Sequence, residues 1–122
     1  MIILHIKDYG DIQLELDHQS APITCQNFEE LVKKRFYDGL TFHRIIKGFM
    51  IQGGDPEGTG CGGSGKEILG EFKANGVNNT ISHKRGVISM ARSQWFNSAS
   101  SQFFICDAND EFLDGQYAAF GH

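Results

Sequence analysis

Proline is scarce, two in 122 residues, and positive charge is in the minority, with eleven Lys and Arg against fifteen Asp and Glu. The formal charge of −4 argues against the basic face by which a protein coats duplex DNA or RNA. No apolar run approaches the ~18 residues needed to span a membrane. The opening MIILHIKDYGD has neither the basic start nor the small-residue cleavage site of a secretory signal. Three cysteines, Cys25, Cys61 and Cys106, form no CxxC pair, and an odd count suits a reducing compartment better than a disulfide framework. A soluble, cytoplasmic protein is expected. The histidines His5, His18, His43, His83 and His122 show no HxxxH or HExxH spacing, so no metal site and no cofactor is expected. A G-x-S-x-G elbow is also missing, which weighs only weakly against a serine hydrolase.

What is plentiful is glycine, 15 residues, about double the ~7% of ordinary chains, which favours turns over long helices. With no repeat and no linker, residues 1–122 read as one domain. Residues 2–6 and 12–16 flank Asp8-Tyr9-Gly10, and the alternation of Ile12, Leu14 and Leu16 with Gln13 and Glu15 predicts an opening hairpin. Ser20 and Pro22 mark a helix start, and Phe28, Leu31 and Val32 form a stripe at helical spacing. Lys33, Lys34 and Arg35 suit its negative end, giving one helix over about 21–35. TFHRIIKGFMIQGGD reads as two strands, or one bent strand, broken at Gly48. Residues 86–91 and 102–106 are strong strand candidates and 117–120 a weaker one. The fold class is all-β or β-rich, a barrel or sandwich.

Residues 53–70 form a long glycine-rich loop with two nucleotide-like patterns. Gly58-Thr59-Gly60-Cys61-Gly62-Gly63 fits G-x-G-x-x-G, but Asp55-Pro56-Glu57 precedes it where a strand should lead in. Gly60 to Lys66 spells most of a phosphate loop, yet Glu67 stands where a hydroxyl should meet magnesium. Neither pattern supports nucleotide binding. More informative is the mixture of aromatic and long polar residues in strands. Arg44 sits among Phe42, Ile45 and Ile46; Met50 and Gln52 share one strand face, and Gln102 and Phe104 share another. An arginine in such a strand either snorkels from an edge or pairs with a carboxylate. Alternatively it is held over an aromatic-floored cleft, its guanidinium fixed by glutamines.

FHRIIKGFMIQGGD, the following GTGCGGSGKEILGEF, GVISMAR, and SQFFIC with FLDGQYAAFG together resemble the cyclophilins, the prolyl cis/trans isomerases, in motif order from near residue 2 to the last. The insertion around Arg92–Ser100 is similar to that of small single-domain prokaryotic members. The resemblance implies a closed or nearly closed antiparallel β-barrel with one N-terminal capping helix, and a groove for X-Pro segments. It implies Arg44 as catalytic, Gln52 and Gln102 as polar groove residues, and Phe49, Met50, Phe104 and Leu113 around the proline. Ala91, Arg92 and Ser93 would hold the peptide through their backbone. Phe112 and Tyr117 fall where many relatives carry tryptophan and histidine, keeping an aromatic wall while removing an indole N–H. Cyclosporin-type ligands are therefore expected to bind weakly. Trp95-Phe96 occupies a loop in which relatives often have proline. The family continues past FGH with a strand, a helix and a closing strand, so the chain reads as incomplete at its C-terminus and lacking the second helix. The expected partners are proline-containing peptides and protein clients of a monomer, barring strand exchange.

Overall fold

The computed structural model describes residues 1–122. The opening hairpin forms as β1 (Ile2–Ile6) and β2 (Gly10–Leu14), paired from Ile2↔Leu14 to Ile6↔Gly10. The second strand thus begins and ends earlier than 12–16. The cause lies beyond Leu14: the chain leaves β1 and pairs with the end of the sequence, Glu15 N–H donating to His122 O and Asp17 N–H to Phe120 O, both at 2.8 Å.

Helix α1 spans Pro22–Lys33, shorter than 21–35 at both ends. Proline at its first position lacks only a donor that would be unpaired there anyway. Ser20 is not the cap; its hydroxyl donates to Asp17, and Ala21 at the N-cap position makes no capping bond. The cap comes from far along the chain. The buried Glu71 carboxylate accepts from Thr24 N–H at 2.6 Å and Thr24 Oγ at 2.7 Å, satisfying an orphan donor of the first turn. Thr24, Phe28 and Leu31 make the buried stripe, and Phe28 sits 5.1–5.5 Å from the rings of Tyr37, Phe103 and Phe120.

The remaining strands are β3 (Arg44–Ile46), β4 (Met50–Gly53), β5 (Ile88–Met90), β6 (Phe103–Cys106) and β7 (Ala119–Gly121). They form one antiparallel sheet in the order β3-β4-β6-β5-β7. β3 and β4 are joined by a tight turn in which Gly48 takes a φ of +77°, a conformation glycine adopts without steric cost. A bridge between Leu16 and Gly121 links the hairpin to β7. The molecule is thus β-rich, with two antiparallel sheets and one helix.

β6 sorts its side chains by alternation. Phe103 and Ile105 join the main core with Phe28, Phe72, Ile88 and Phe120. Phe104 and Cys106 point to the other face, where they cluster with Met50, Val87, Leu113 and Ala119. That second, smaller cluster lies beneath the site.

Candidate active site

Strand pairing brings the residues together. β3 sets Arg44 opposite Gln52 on β4, and β4 sets Gln52 opposite Phe104 on β6. Above them opens a cavity of about 440 Å³ lined by Arg44, Phe49, Met50, Gln52, Ala91, Arg92, Phe104, Leu113 and Tyr117, together with His43, Thr59 and Gly60. Its floor is apolar, made by the buried side chains of Met50, Phe104 and Leu113. Tyr117 stands edge-on to Phe104 at 5.8 Å and 86°.

Arg44 is exposed at the start of an edge strand and lines this cavity. The ion pairs of the molecule join His5–Asp11, His18–Glu29, Lys66–Glu30, His83–Asp114 and Arg85–Asp107, so no carboxylate claims Arg44. Nor do glutamines fix it. Gln52 Nε2 donates instead to Gln102 Oε1 at 2.8 Å, and Gln102 Nε2 donates to Gly62 O at 2.7 Å. The two amides form a relay that ties β4, β6 and the glycine loop together, because β4–β6 pairing brings the Gln102 end of β6 against Gln52.

A second cavity of about 750 Å³ adjoins the first, sharing Gln52, Gly60, Ala91 and Arg92 with it and adding Cys61, Gly62, Ser93 and Gln102. The site is thus two hollows along one groove. Ser93 and Gln102 belong to the second hollow, not to the apolar one. Phe112 belongs to neither: it is 72% exposed and stacks on Phe49 at 5.8 Å. Phe112 thus reaches the apolar hollow only through Phe49, which lines it. It rests on the short 3₁₀ turn Glu111–Leu113, where only Leu113 is buried.

Of the three backbone positions expected to hold a peptide, two have their N–H groups engaged within the chain. Ala91 N–H donates to Gln102 O and Ser93 N–H to Ser98 Oγ, each at 3.0 Å. Arg92 remains, and its side chain is the surprise. The guanidinium lies 5.0, 5.1 and 4.6 Å from the ring centroids of Phe72, Phe96 and Tyr117 and donates to Gln116 O and Ser93 O. Motif matching assigned only the backbone of Arg92. The clamp depends on aromatics from three separate segments, which no local pattern brings together.

The glycine loop is anchored by Asp55. Its buried carboxylate accepts from the N–H groups of Glu57, Thr59 and Gly60 at 2.8, 2.9 and 2.6 Å. Burial alone would push this carboxyl up, but the N–H groups of Glu57, Gly60, Gly62 and Thr59 outweigh it and hold its pKa down at about 2. A Cβ on Gly62 would run into the same carboxylate, so the glycine there permits close approach. His43, given no role by its spacing in the sequence, lines the apolar hollow with both ring nitrogens buried and unpartnered. Cys61 is exposed on the second hollow. Cys25 and Cys106 are buried, and desolvation raises both thiols to about 12.

The antiparallel β-rich fold with one helix is that of the cyclophilin class of proteins. A solved cyclophilin type isomerase from Cryptosporidium parvum, determined in the presence of the dipeptide Ala-Pro, superposes with a TM-score of 0.83 at 39% identity, covering 93% of this chain and 72% of that one. A cyclophilin from Hirschia baltica gives 0.84 at 26% identity, covering 98% and 62%. Peptidyl-prolyl cis-trans isomerase-like 1 of Rhizopus delemar is 50% identical over 92% of this chain and 67% of its own length. For a Helicobacter pylori peptidyl-prolyl cis-trans isomerase the figures are 46%, 92% and 66%. The chain spans about two thirds of the length of these two relatives. All 122 residues match the cyclophilin type peptidyl-prolyl cis-trans isomerase family, and the chain belongs to it.

Proposed function

We propose that this chain accelerates cis/trans isomerisation of X-Pro bonds in peptides and in folding protein clients, with Arg44 as the catalytic group. The observation that carries this reading is the placement of an unpaired guanidinium on the same hollow as Phe104, Met50 and Leu113. The hollow accepts a pyrrolidine ring, and the second hollow takes the chain preceding it.

An X-Pro amide resists rotation because resonance gives its C–N bond double-bond character, with a barrier of ~18–20 kcal/mol. Uncatalysed exchange takes ~10–100 s. A turnover near ~10³ s⁻¹ would require ~10⁴–10⁵-fold acceleration, or ~5–7 kcal/mol of preferential binding to the twisted amide. Rotation makes and breaks no covalent bond, so no nucleophile is needed. In the twisted state the proline nitrogen regains a lone pair. A hydrogen bond donated to it by Arg44 weakens resonance, and a charged donor in a partly dry cleft contributes a few kcal/mol. The ring stays gripped by Phe49, Met50, Phe104 and Leu113 while the preceding carbonyl swings. Tyr117 closes the aromatic side, and the Gln52–Gln102 relay holds the saddle between the hollows rather than the guanidinium itself.

The reading extends to the rest of the molecule. Residues 1–122 act as one domain, and the seven strands curl as an antiparallel barrel wall capped by α1. Proline-containing peptides are the ligands of a cytoplasmic monomer, and cyclosporin-type compounds bind weakly because Phe112 offers no indole donor.

The test is exchange spectroscopy by NMR on an Ala-Pro peptide. The wild-type chain is expected to accelerate exchange, and Arg44→Ala to lower kcat/KM at least tenfold with Tm almost unmoved, since Arg44 is exposed and unpaired. Saturable binding without faster exchange would replace catalysis by simple peptide recognition. A Tm loss comparable to the activity loss would make Arg44 structural.

A further inference from the structure

His83 touches neither hollow and is completely buried, yet every polar atom it has is engaged. Its backbone N–H and its Nδ1 both reach Asp114 Oδ1, at 2.7 and 2.9 Å. Its Nε2 lies 2.9 Å from Ser89 Oγ, and its carbonyl accepts from Asp110 N–H at 2.7 Å. An ionised carboxylate can only accept, so Nδ1 donates to Asp114, and Nε2 pairs with the Ser89 hydroxyl. Asp114 is fixed in turn by Ser82 Oγ at 2.6 Å.

These bonds converge on two walls of the apolar hollow. Asp110 and Asp114 bracket the turn that carries Phe112 and Leu113, and His83 holds both ends of it. Ser89 is the ladder partner of Phe104 across β5 and β6. The His83 ring itself lies nearly parallel to Phe104, with centroids 6.0 Å apart and planes 17° from each other. One side chain therefore spans from β5, the strand paired with the one bearing Phe104, to the turn bearing Leu113. Burying an imidazole is costly unless its nitrogens are paired. Here the pairing also fixes the distance between two elements that no other hydrogen bond of this set connects.

We infer that His83 is a positioning residue for the proline pocket, setting the separation of Phe104 and Leu113 and with it the grip on the pyrrolidine ring. This rests on the isomerase reading above. The ring is held alike in the cis, trans and twisted states, so loosening the grip removes uniform binding, which raises Kd and KM while leaving kcat nearly unchanged. Loss of Arg44 has the opposite signature.

The experiment uses the full chain, an Ala-Pro peptide and methyl NMR of Leu113. Asp114→Ala frees one end of the turn from His83 at a partly exposed position, leaving the Asp110 N–H bond to the His83 carbonyl, and His83→Asn keeps a donor towards Asp114 while removing the ring from beneath Phe104. Both are expected to raise Kd about fivefold or more, with exchange at saturation falling less than about twofold. The Leu113 methyl resonances should shift in the peptide-free protein, because the methyls move relative to the Phe104 ring. Asp114→Asn, which retains an Oδ1 acceptor, should restore both readouts. Glu71→Ala, which loosens α1 away from the pocket, is the control for lost stability and should leave Kd unchanged. The inference is overturned if Asp114→Ala folds with unshifted Leu113 methyls and Kd within about twofold of wild type, or if Glu71→Ala raises Kd as much. If the wild-type chain neither binds nor isomerises the peptide, the isomerase reading fails, while the methyl shifts still decide whether His83 sets the Leu113 position.

Discussion

Arg44 and Arg92 show how two like side chains in one groove come to different work. Arg44 has no partner within the chain and is available to a ligand. The Arg92 guanidinium is consumed, enclosed by Phe72, Phe96 and Tyr117 and bonded to two carbonyl oxygens. A planar cation stacked on rings is not replaceable by a compact ammonium. Arg92→Lys is therefore expected to cost ~1–2 kcal/mol of stability. It should also raise KM by about two- to threefold through Tyr117 and the Ser93 backbone, leaving kcat nearly unchanged. Denaturant titration and steady-state isomerase kinetics would check the pair. Gln52 and Phe112 carry the corresponding lesson about reading residues one at a time. Both lie in segments whose motif is recognisable, yet the partner of Gln52 and the exposure of Phe112 depend on what a neighbouring strand or turn presents. Sequence reaches neither.

At the level of elements, α1 depends on a carboxylate from a distant loop. Glu71→Ala would leave Thr24 N–H and Oγ without their acceptor in a buried place, a loss of about 1–2 kcal/mol. That corresponds to a fall of roughly 4–10 °C in Tm for a domain of this size. Glu71→Gln, which keeps a carbonyl acceptor, should recover part of it, and calorimetry on both variants decides. The helix was legible in the sequence because Pro22 and the Phe28–Leu31 spacing act locally. Its cap was not, since nothing near Ser20 points to a residue 47 positions away. Strands followed the same division. The first strand and the Gly48 break between β3 and β4 were marked closely, whereas β2 ended early because its continuation pairs with the far end of the chain. The groove residues were reached through motifs in β3, β4 and β6. His83 is one of five unpatterned histidines in the sequence, and its place in the fold exists only once Asp114 and Ser89 are beside it.

Across the whole molecule the acidic groups set the response to pH. Asp55 falls from 3.8 to about 2 on folding, so its contribution is complete above pH 3.8 and is lost as pH drops through about 2. Asp17 is held low chiefly by the Ser20 N–H, and at Asp114 bonds from Ser82 and His83 outweigh the upward push of burial. Both act in the same direction as Asp55. Asp110 runs the other way: burial raises its carboxyl, one oxygen of which is unpartnered, and its ionisation opposes folding near neutrality. With three groups against one, Tm should be nearly flat from pH 7 to 5 and fall below pH 4, most steeply between 3.8 and about 2. Asp55→Asn should flatten that limb in scanning calorimetry. A limb that keeps its full slope in this variant would remove Asp55 from the account.

The distribution of sulfur has a practical corollary. Two thiols are sealed inside the protein and resist ionisation, while Cys61 stands open on the hollow next to the apolar one. A maleimide dye would accordingly attach at a single address on the brim of the groove, and an incoming polypeptide would have to brush past it. Nature has left this fold with a ready-made mounting point for an optical gauge of occupancy.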